Sequence, residues 1–191
     1  MGGELLHLSP EIFVMLVAVA GLAGFVDAIA GGGGLLCVPA LLAAGLPPVA
    51  VLATNKLQST FGTATACFNF ARKGHVDFKL MALPVAGAFL GAALGAVIVQ
   101  RLNPTFLAGL VPILLIATAA YFLLSPKMSE VDQHRWLQPA TYAAVAFAIG
   151  FYDGFFGPGA GSFYTVSLIA LMGLGLMKAT IGKGRFPERG G

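Results

Sequence analysis

The chain has 191 residues, of which 58% are hydrophobic and only 10% charged, with 11 Lys and Arg against 8 Asp and Glu and a formal net charge of +3. Soluble domains carry about 25% charged residues, so these few charges would not cover a soluble globule of this size. The composition excludes a disordered chain, a nucleic-acid binder and a disulfide-built secreted domain; uniformly apolar runs exclude a β-barrel, whose strands alternate polar and apolar. No acid, Lys or Arg lies between Lys79 and Arg101, between Arg101 and Lys127, between Arg135 and Asp153, or between Asp153 and Lys178. Each gap is at or near the roughly 20 apolar residues a helix needs to cross a hydrocarbon core. The expected fold is all-α: a polytopic transmembrane helix bundle.

Residues 1–11 hold no Lys or Arg and lack the positive start of a secretory leader. Leu6, where a myristoylation signal has Ser or Thr, argues against that modification, so 1–11 read as an N-terminal tail. Ser9-Pro10-Glu11 reads as a helix start: a capping hydroxyl, Pro at the first helical position and an acid in the first turn. The apolar run Ile12–Ala30 ends at Gly31-Gly32-Gly33-Gly34, where each glycine costs a helix about 1 kcal/mol relative to Ala. A short apolar piece, 35–46, stops at Pro47-Pro48 and at about 18 Å is too short to span. Further spans are expected at Val49–Ala71, Lys79–Gln100 and Thr105–Leu124. A polar loop, 125–138, precedes a fifth span, Pro139–Phe156, which breaks at Gly157-Pro158-Gly159-Ala160-Gly161 and resumes over Ser162–Leu176. Lys and Arg favour cytoplasmic loops, which places 72–79 and 125–138 on the cytoplasmic side and 101–104 outside. A single net crossing by 12–46 would leave the N-terminus cytoplasmic as well.

A shift of 126 residues superposes Gly24, Phe25, Asp27, Gly31 and Gly33 on Gly150, Phe151, Asp153, Gly157 and Gly159, and Ala53-Thr54 on Ala179-Thr180. The duplication includes both intramembrane acids and both glycine breaks. It divides the chain into a first transmembrane repeat over 12–124, a second, incomplete one over 139–180, and an atypical polar tail at 181–191. Four net crossings per repeat would set the halves parallel. After Thr180 the copies diverge, and about three spans expected from the duplication do not follow, so the second half is expected to be truncated.

Unpaired backbone in hydrocarbon costs several kcal/mol per group. The glycine runs therefore imply either a cavity or ligand that satisfies them, or close helix crossing. The helix that restarts after Gly31–Gly34, and the one that restarts after Gly157, Gly159 and Gly161, each offer free N–H groups and a partial positive charge, which is an anion site. Asp27 and Asp153 are the acids within spans; a proton relay and capping of the broken backbone are both open, with capping favoured. The second span carries a polar stripe of Asn55, Ser59, Gly62, Ala66 and Asn69 flanked by Lys56, Thr60 and Thr63. Lys56 either attracts an anion or pairs with Asp27. Gly87, Gly91 and Gly95 form a small-residue ridge read as helix packing. His7, His75 and His134 have no metal spacing, and the glycine runs lack the context of a phosphate loop. Neither a metal nor a cofactor is expected.

Gly24-Phe25-Val26-Asp27-Ala28-Ile29-Ala30-Gly31-Gly32-Gly33-Gly34, Pro39 and Ala53-Thr54-Asn55-Lys56-Leu57-Gln58 resemble the TauE/SafE family of sulfite exporters and related membrane transporters. Gly150-Phe151-Tyr152-Asp153-Gly154-Phe155-Phe156-Gly157-Pro158-Gly159 is similar to that family's second repeat. The resemblance covers 12–180 and implies a transporter of the bacterial inner or plasma membrane, with seven or eight spans in duplicated halves and sulfur-containing anions among its substrates. The resulting expectation is a non-enzymatic secondary transporter, an exporter of a small anion such as sulfite or an organosulfonate. The substrate would sit among Gly31, Gly32, Gly33, Gly34, Asn55, Lys56, Gly157, Gly159 and Gly161. The expected partners are that anion and the lipid bilayer, with a homo-oligomer left open. Two rival readings are a proton- or cation-coupled carrier centred on Asp27 and Asp153, and an inactive membrane fragment.

Overall fold

A computed structural model describes residues 9–72, 78–124 and 137–172. Among these, seven helices and no strands are found: α1 (Pro10–Ala30), α2 (Gly34–Ala43), α3 (Pro48–Arg72), α4 (Phe78–Arg101), α5 (Pro104–Leu124), α6 (Pro139–Phe155) and α7 (Ala160–Met172). Helix starts and breaks lie within a few residues of the sequence reading. Ser9 caps α1, its hydroxyl accepting the Ile12 N–H at 3.4 Å. Gly45, at φ +83°, ends α2 two residues before Pro47-Pro48; the Leu46 N–H reaches back to the Leu41 carbonyl and the Gly45 N–H to that of Leu42, the paired closure of a left-handed C-cap.

Three described segments are long and apolar enough to cross a membrane: Pro10–Ile29, Lys79–Arg101 and Pro104–Leu124. At 25 residues, or about 37 Å, α3 is also long enough, but its polar stripe lowers its hydropathy. The outward faces are largely apolar: Phe25, Phe61, Phe89 and Ile116 are all more than 60% exposed, with exposed threonines confined mainly to α3. A water-facing surface would not carry so continuous an apolar cover, whereas acyl chains solvate it without penalty. The chain is a helical membrane protein.

The contacts between helices set their directions. Leu137, just before α6, donates its N–H to the Leu171 carbonyl near the end of α7, and the hydroxyls of Tyr142 and Ser167 bond at 2.6 Å. The later α6 residue Ala146 instead meets the earlier α7 residue Tyr164. So α6 and α7 run antiparallel, a hairpin that returns to the side it left. The first break does the same. Gly33 folds back onto the Ala23 carbonyl, and α1 runs parallel to α3, with Gly24 beside Gln58 and Asp27 beside Gly62.

This corrects the expected topology. Residues 12–46 form a re-entrant hairpin with no net crossing, because the Gly31–Gly33 turn reverses the chain instead of merely interrupting a helix. Three crossings, α3, α4 and α5, then separate the two hairpins, so the second is inverted relative to the first and the halves are not parallel. α1 therefore starts on the side of the 101–104 turn, opposite the end of α3. Residues 1–8, 73–77, 125–136 and 173–191, with the loops and the two tails read from them, lie outside the described residues.

The packing between α4 and α6 shows what the glycine ridge does. A Cβ at Gly87 would lie 2.5 Å from the Ala143 carbonyl oxygen, and those at Gly91 and Gly95 would overlap the Phe147 and Phe151 carbonyls. Gly150 and Gly154 of α6 receive the carbonyls of Ala88 and Ala92 in the same way. Glycines on both helices thus let two backbones touch, the membrane packing mode in which dispersion replaces the hydrophobic effect. The main core gathers Val38, Val51, Leu107, Val111 and Phe156 around the inner ends of the hairpins, and a second cluster of Tyr142, Ala146, Ile169 and Met172 holds α6 to α7.

Candidate functional site

The two hairpin tips meet inside the bundle. Gly31, at φ +69°, packs its backbone on Gly161, where a Cβ would lie 2.5 Å from the Gly31 Cα. Gly34, the first residue of α2, faces Pro158, whose Cα would be 2.9 Å from an added Cβ. The close approach juxtaposes the N-termini of α2 and α7, so their partial positive charges add. The breaks themselves are Gly31–Gly33 and Phe156–Gly159; Gly34 and Gly161 already belong to first helical turns.

Asp27 lies at the first tip. Its Oδ1 accepts the Gly33 N–H at 2.7 Å, six residues along the chain, and so ties the end of α1 to the start of α2. Asp153 does something else. Its carboxylate pairs with the Lys56 ammonium, and both side chains are about a third exposed, at 36% and 32%. The open alternative of a Lys56 pair with Asp27 is thereby corrected: α1 and α3 run parallel with Gln58 and Gly62 toward α1, which turns Lys56 toward α6. Gly157, at φ +99°, leaves room for the lysine, since a Cβ there would sit 2.8 Å from Lys56 Nζ.

Lys56 lines a cavity of about 390 Å³ between α3, α4 and α6. Its walls include Leu52, Thr60, Val99, Gln100, Gly154 and Phe156. Of the residues expected at the site, Lys56 alone is on this wall. Gly31, Gly33 and Gly161 are spent on backbone contacts, and Gly159 packs against Phe122 and Thr118. Asn55 is 2% exposed and sits against Gly34. Gly32 is less crowded, 3.9 Å from the Ser162 hydroxyl by the same measure. On the polar stripe, Ser59 and Gly62 are half-buried; the side chains of Ala66 and Asn69 fall outside what is described.

Sequence reasoning missed Tyr152 and Thr118. Tyr152 donates its hydroxyl to the Pro158 carbonyl at 2.6 Å, satisfying the backbone of the second break as Asp27 does that of the first. Thr118 of α5 lies 3.0 Å from that hydroxyl and bonds the Leu114 carbonyl. Phe163, in the first turns of α7, packs against Tyr152 and Phe122. The signal was in the repeat: Tyr152 stands where the first copy has Val26, a polar tip placed beside a broken helix.

Fold and site together define a class: membrane proteins built of re-entrant hairpins in inverted repeats, with helix N-termini meeting in the interior. The chain belongs to the sulfite exporter TauE/SafE family, whose model matches residues 16–182. It is 46% identical over 178 residues to the protein named "Probable membrane transporter protein YfcA" of Escherichia coli (strain K12), a match covering 93% of this chain and 66% of that one. It is 45% identical to "Probable membrane transporter protein ORF9" of Sinorhizobium sp, covering 89% and 66%, and 25% identical to YunE of Bacillus subtilis (strain 168), covering 83% and 68%. The chain thus spans about two thirds of the length of these relatives. No solved structure matches it.

Proposed function

We propose that this protein is a multi-pass secondary transporter of the cell membrane, an exporter of a small sulfur-containing anion such as sulfite or an organosulfonate, and not an enzyme. The observation that carries the reading is the Lys56 ammonium on the wall of a largely apolar cavity that also carries Thr60 and Gln100, with the Gly157 turn that leads into α7 beside it. At about 390 Å³ the cavity lies at the small end of ligand sites, which run about 300–1,000 Å³. The family's description and the relatives' names agree with transport. Inverted repeats with broken helices are also the architecture in which two bundles rock about a central site.

The chemistry follows from the ion pair. A lysine in the membrane interior is costly unless paired, and Asp153 holds it between substrates. An incoming anion replaces or joins that carboxylate, so Lys56 keeps a negative partner throughout the cycle. The glycines of the two tips act by letting the hairpins meet and the N-termini converge, and Asn55 supports the first tip from α3.

Equilibrium binding and flux of labelled sulfite and of an organosulfonate in proteoliposomes test the reading. Lys56→Gln removes a charge-assisted contact worth about 1.5–3 kcal/mol, so anion affinity falls by about 10- to 150-fold. Asp27→Asn keeps an oxygen for the Gly33 N–H and affects anion affinity far less. Unchanged affinity in Lys56→Gln, with loss in Asp27→Asn, overturns the assignment and favours a carrier centred on the acids.

A further inference from the structure

On the opposite face of α3 from the cavity, three side-chain oxygens are buried with no hydrogen-bond partner: Asp27 Oδ2, Asn55 Oδ1 and Gln58 Oε1. We propose that Asp27, Asn55 and Gln58 form a site for a desolvated monovalent cation, Na⁺. The three residues belong to one small region of the α1–α3 interface. Asn55 and Gln58 are three residues apart on α3 and share a face. Asp27 is in the last turns of α1, its Cβ opposite Gly62 one turn beyond Gln58 and its carboxyl against Gly33, while Asn55 lies against Gly34.

Their orientations are held from behind. Gln58 Nε2 donates to the Ala20 carbonyl at 3.2 Å, which commits its Oε1 to the other direction. Asp27 Oδ1 is taken by the Gly33 N–H, which leaves Oδ2. Gly24 leaves room for Gln58, whose Nε2 would lie 3.2 Å from an added Cβ, and Gly62 faces the Gly24 carbonyl at ordinary contact distance.

Acceptors without donors point to a cation. A buried acceptor without a partner costs about 1–3 kcal/mol, and three together would be a heavy defect in a helix interface. A proton on Asp27 would supply one donor and leave at least one of the other oxygens unmatched, whereas a cation answers all three. Charge points the same way. Lys56 is committed to Asp153, and Asp27 stands at the negative end of the α1 dipole, where a carboxylate is disfavoured. Hard cations choose oxygen ligands, and a divalent ion would want more carboxylates than the one present.

The site stands independently of the anion reading, and its test uses no anion. The purified protein in nanodiscs is titrated with ²²Na⁺ in choline buffer at fixed ionic strength and pH. The expected result is saturable binding of one Na⁺ per chain, with a rise in thermal midpoint that choline does not reproduce. Asp27→Asn lowers Na⁺ affinity at least about tenfold, and Asn55→Ala and Gln58→Ala lower it as well, while Lys56→Gln, which removes a neighbouring positive charge, does not lower it. Gln58→Glu supplies a second carboxylate and gains Ca²⁺ binding, a result a merely structural Gln58 would not give. No saturable Na⁺ binding, or a midpoint that follows pH and ignores Na⁺, overturns the proposal. So does Na⁺ binding that survives all three of the Asp27, Asn55 and Gln58 substitutions.

Discussion

The Lys56–Asp153 pair should behave as a coupled unit, and a double-mutant cycle measures how strongly. Lys56→Met and Asp153→Leu each remove one charge with roughly conserved volume and leave the other unpaired. Two unit charges about 4 Å apart attract by about 4 kcal/mol at an effective dielectric of about 20. Both side chains are about a third exposed, and solvent reaching them screens the attraction. An unpaired charge near the middle of a membrane helix costs about 2.5–3.5 kcal/mol on insertion scales, and the same screening reduces that figure. We therefore expect each single substitution to destabilise the fold by about 2 kcal/mol, and the double variant to recover most of the loss. With the double variant about 1 kcal/mol less stable than the parent, the coupling energy is about 3 kcal/mol, at the top of the range of about 0.5–3 kcal/mol measured for interacting residues. Denaturant unfolding in mixed micelles, followed by far-UV circular dichroism, reads all four corners of the cycle. Additivity of Lys56→Met and Asp153→Leu within about 0.5 kcal/mol would refute the pairing. A stronger coupling of Lys56 to Asp27 than to Asp153 would refute the direction assigned to α3.

Gly91→Ala forces its Cβ against the Phe147 carbonyl and to 2.8 Å from the Phe151 amide nitrogen; overpacking of this kind costs about 1–3 kcal/mol, measured in the same unfolding assay, whereas Gly109→Ala, with open space around it, should cost little. Tyr152→Phe leaves the Pro158 carbonyl without its donor and should destabilise by about 1–3 kcal/mol, with hydrogen exchange rising first at the second hairpin tip. For topology, in a background lacking Cys37 and Cys67, cysteines placed at Ser9 and Asn103 should react with an impermeant maleimide from the same side of the membrane. Labelling from opposite sides would contradict the re-entrant hairpin.

Much of this protein is legible along the chain. Membrane residence follows from charge spacing alone, because hydrocarbon tolerates so few ionised groups that the gaps between them become helix lengths. Helix starts at Ser9-Pro10 and Asn103-Pro104, and the breaks at Gly31 and Gly157, are local events set by backbone dihedrals and caps within a few residues. The pairing of the breaks was likewise foreshadowed by the 126-residue repeat, since duplicated segments tend to keep equivalent places. Asp27 as a cap was within reach because its partner, Gly33, is only six residues away.

What only the tertiary structure decided is direction and partnership. A glycine break looks the same in sequence whether the chain continues or reverses, because the outcome depends on three consecutive dihedral pairs and on what the next helix packs against. The reversal at Gly31–Gly33 is held by Ala23 and Asp27 on one side and by Gly161, 130 residues away, on the other. That single reversal turns parallel halves into inverted ones. Lys56 shows the same limit. Its two candidate acids lie 29 residues before it and 97 after, and their local sequences are alike. The rotation of α3 against α1, fixed by the Gln58 bond to the Ala20 carbonyl beside Gly24, turns Asn55 and Gln58 away from the cavity and leaves Lys56 for Asp153.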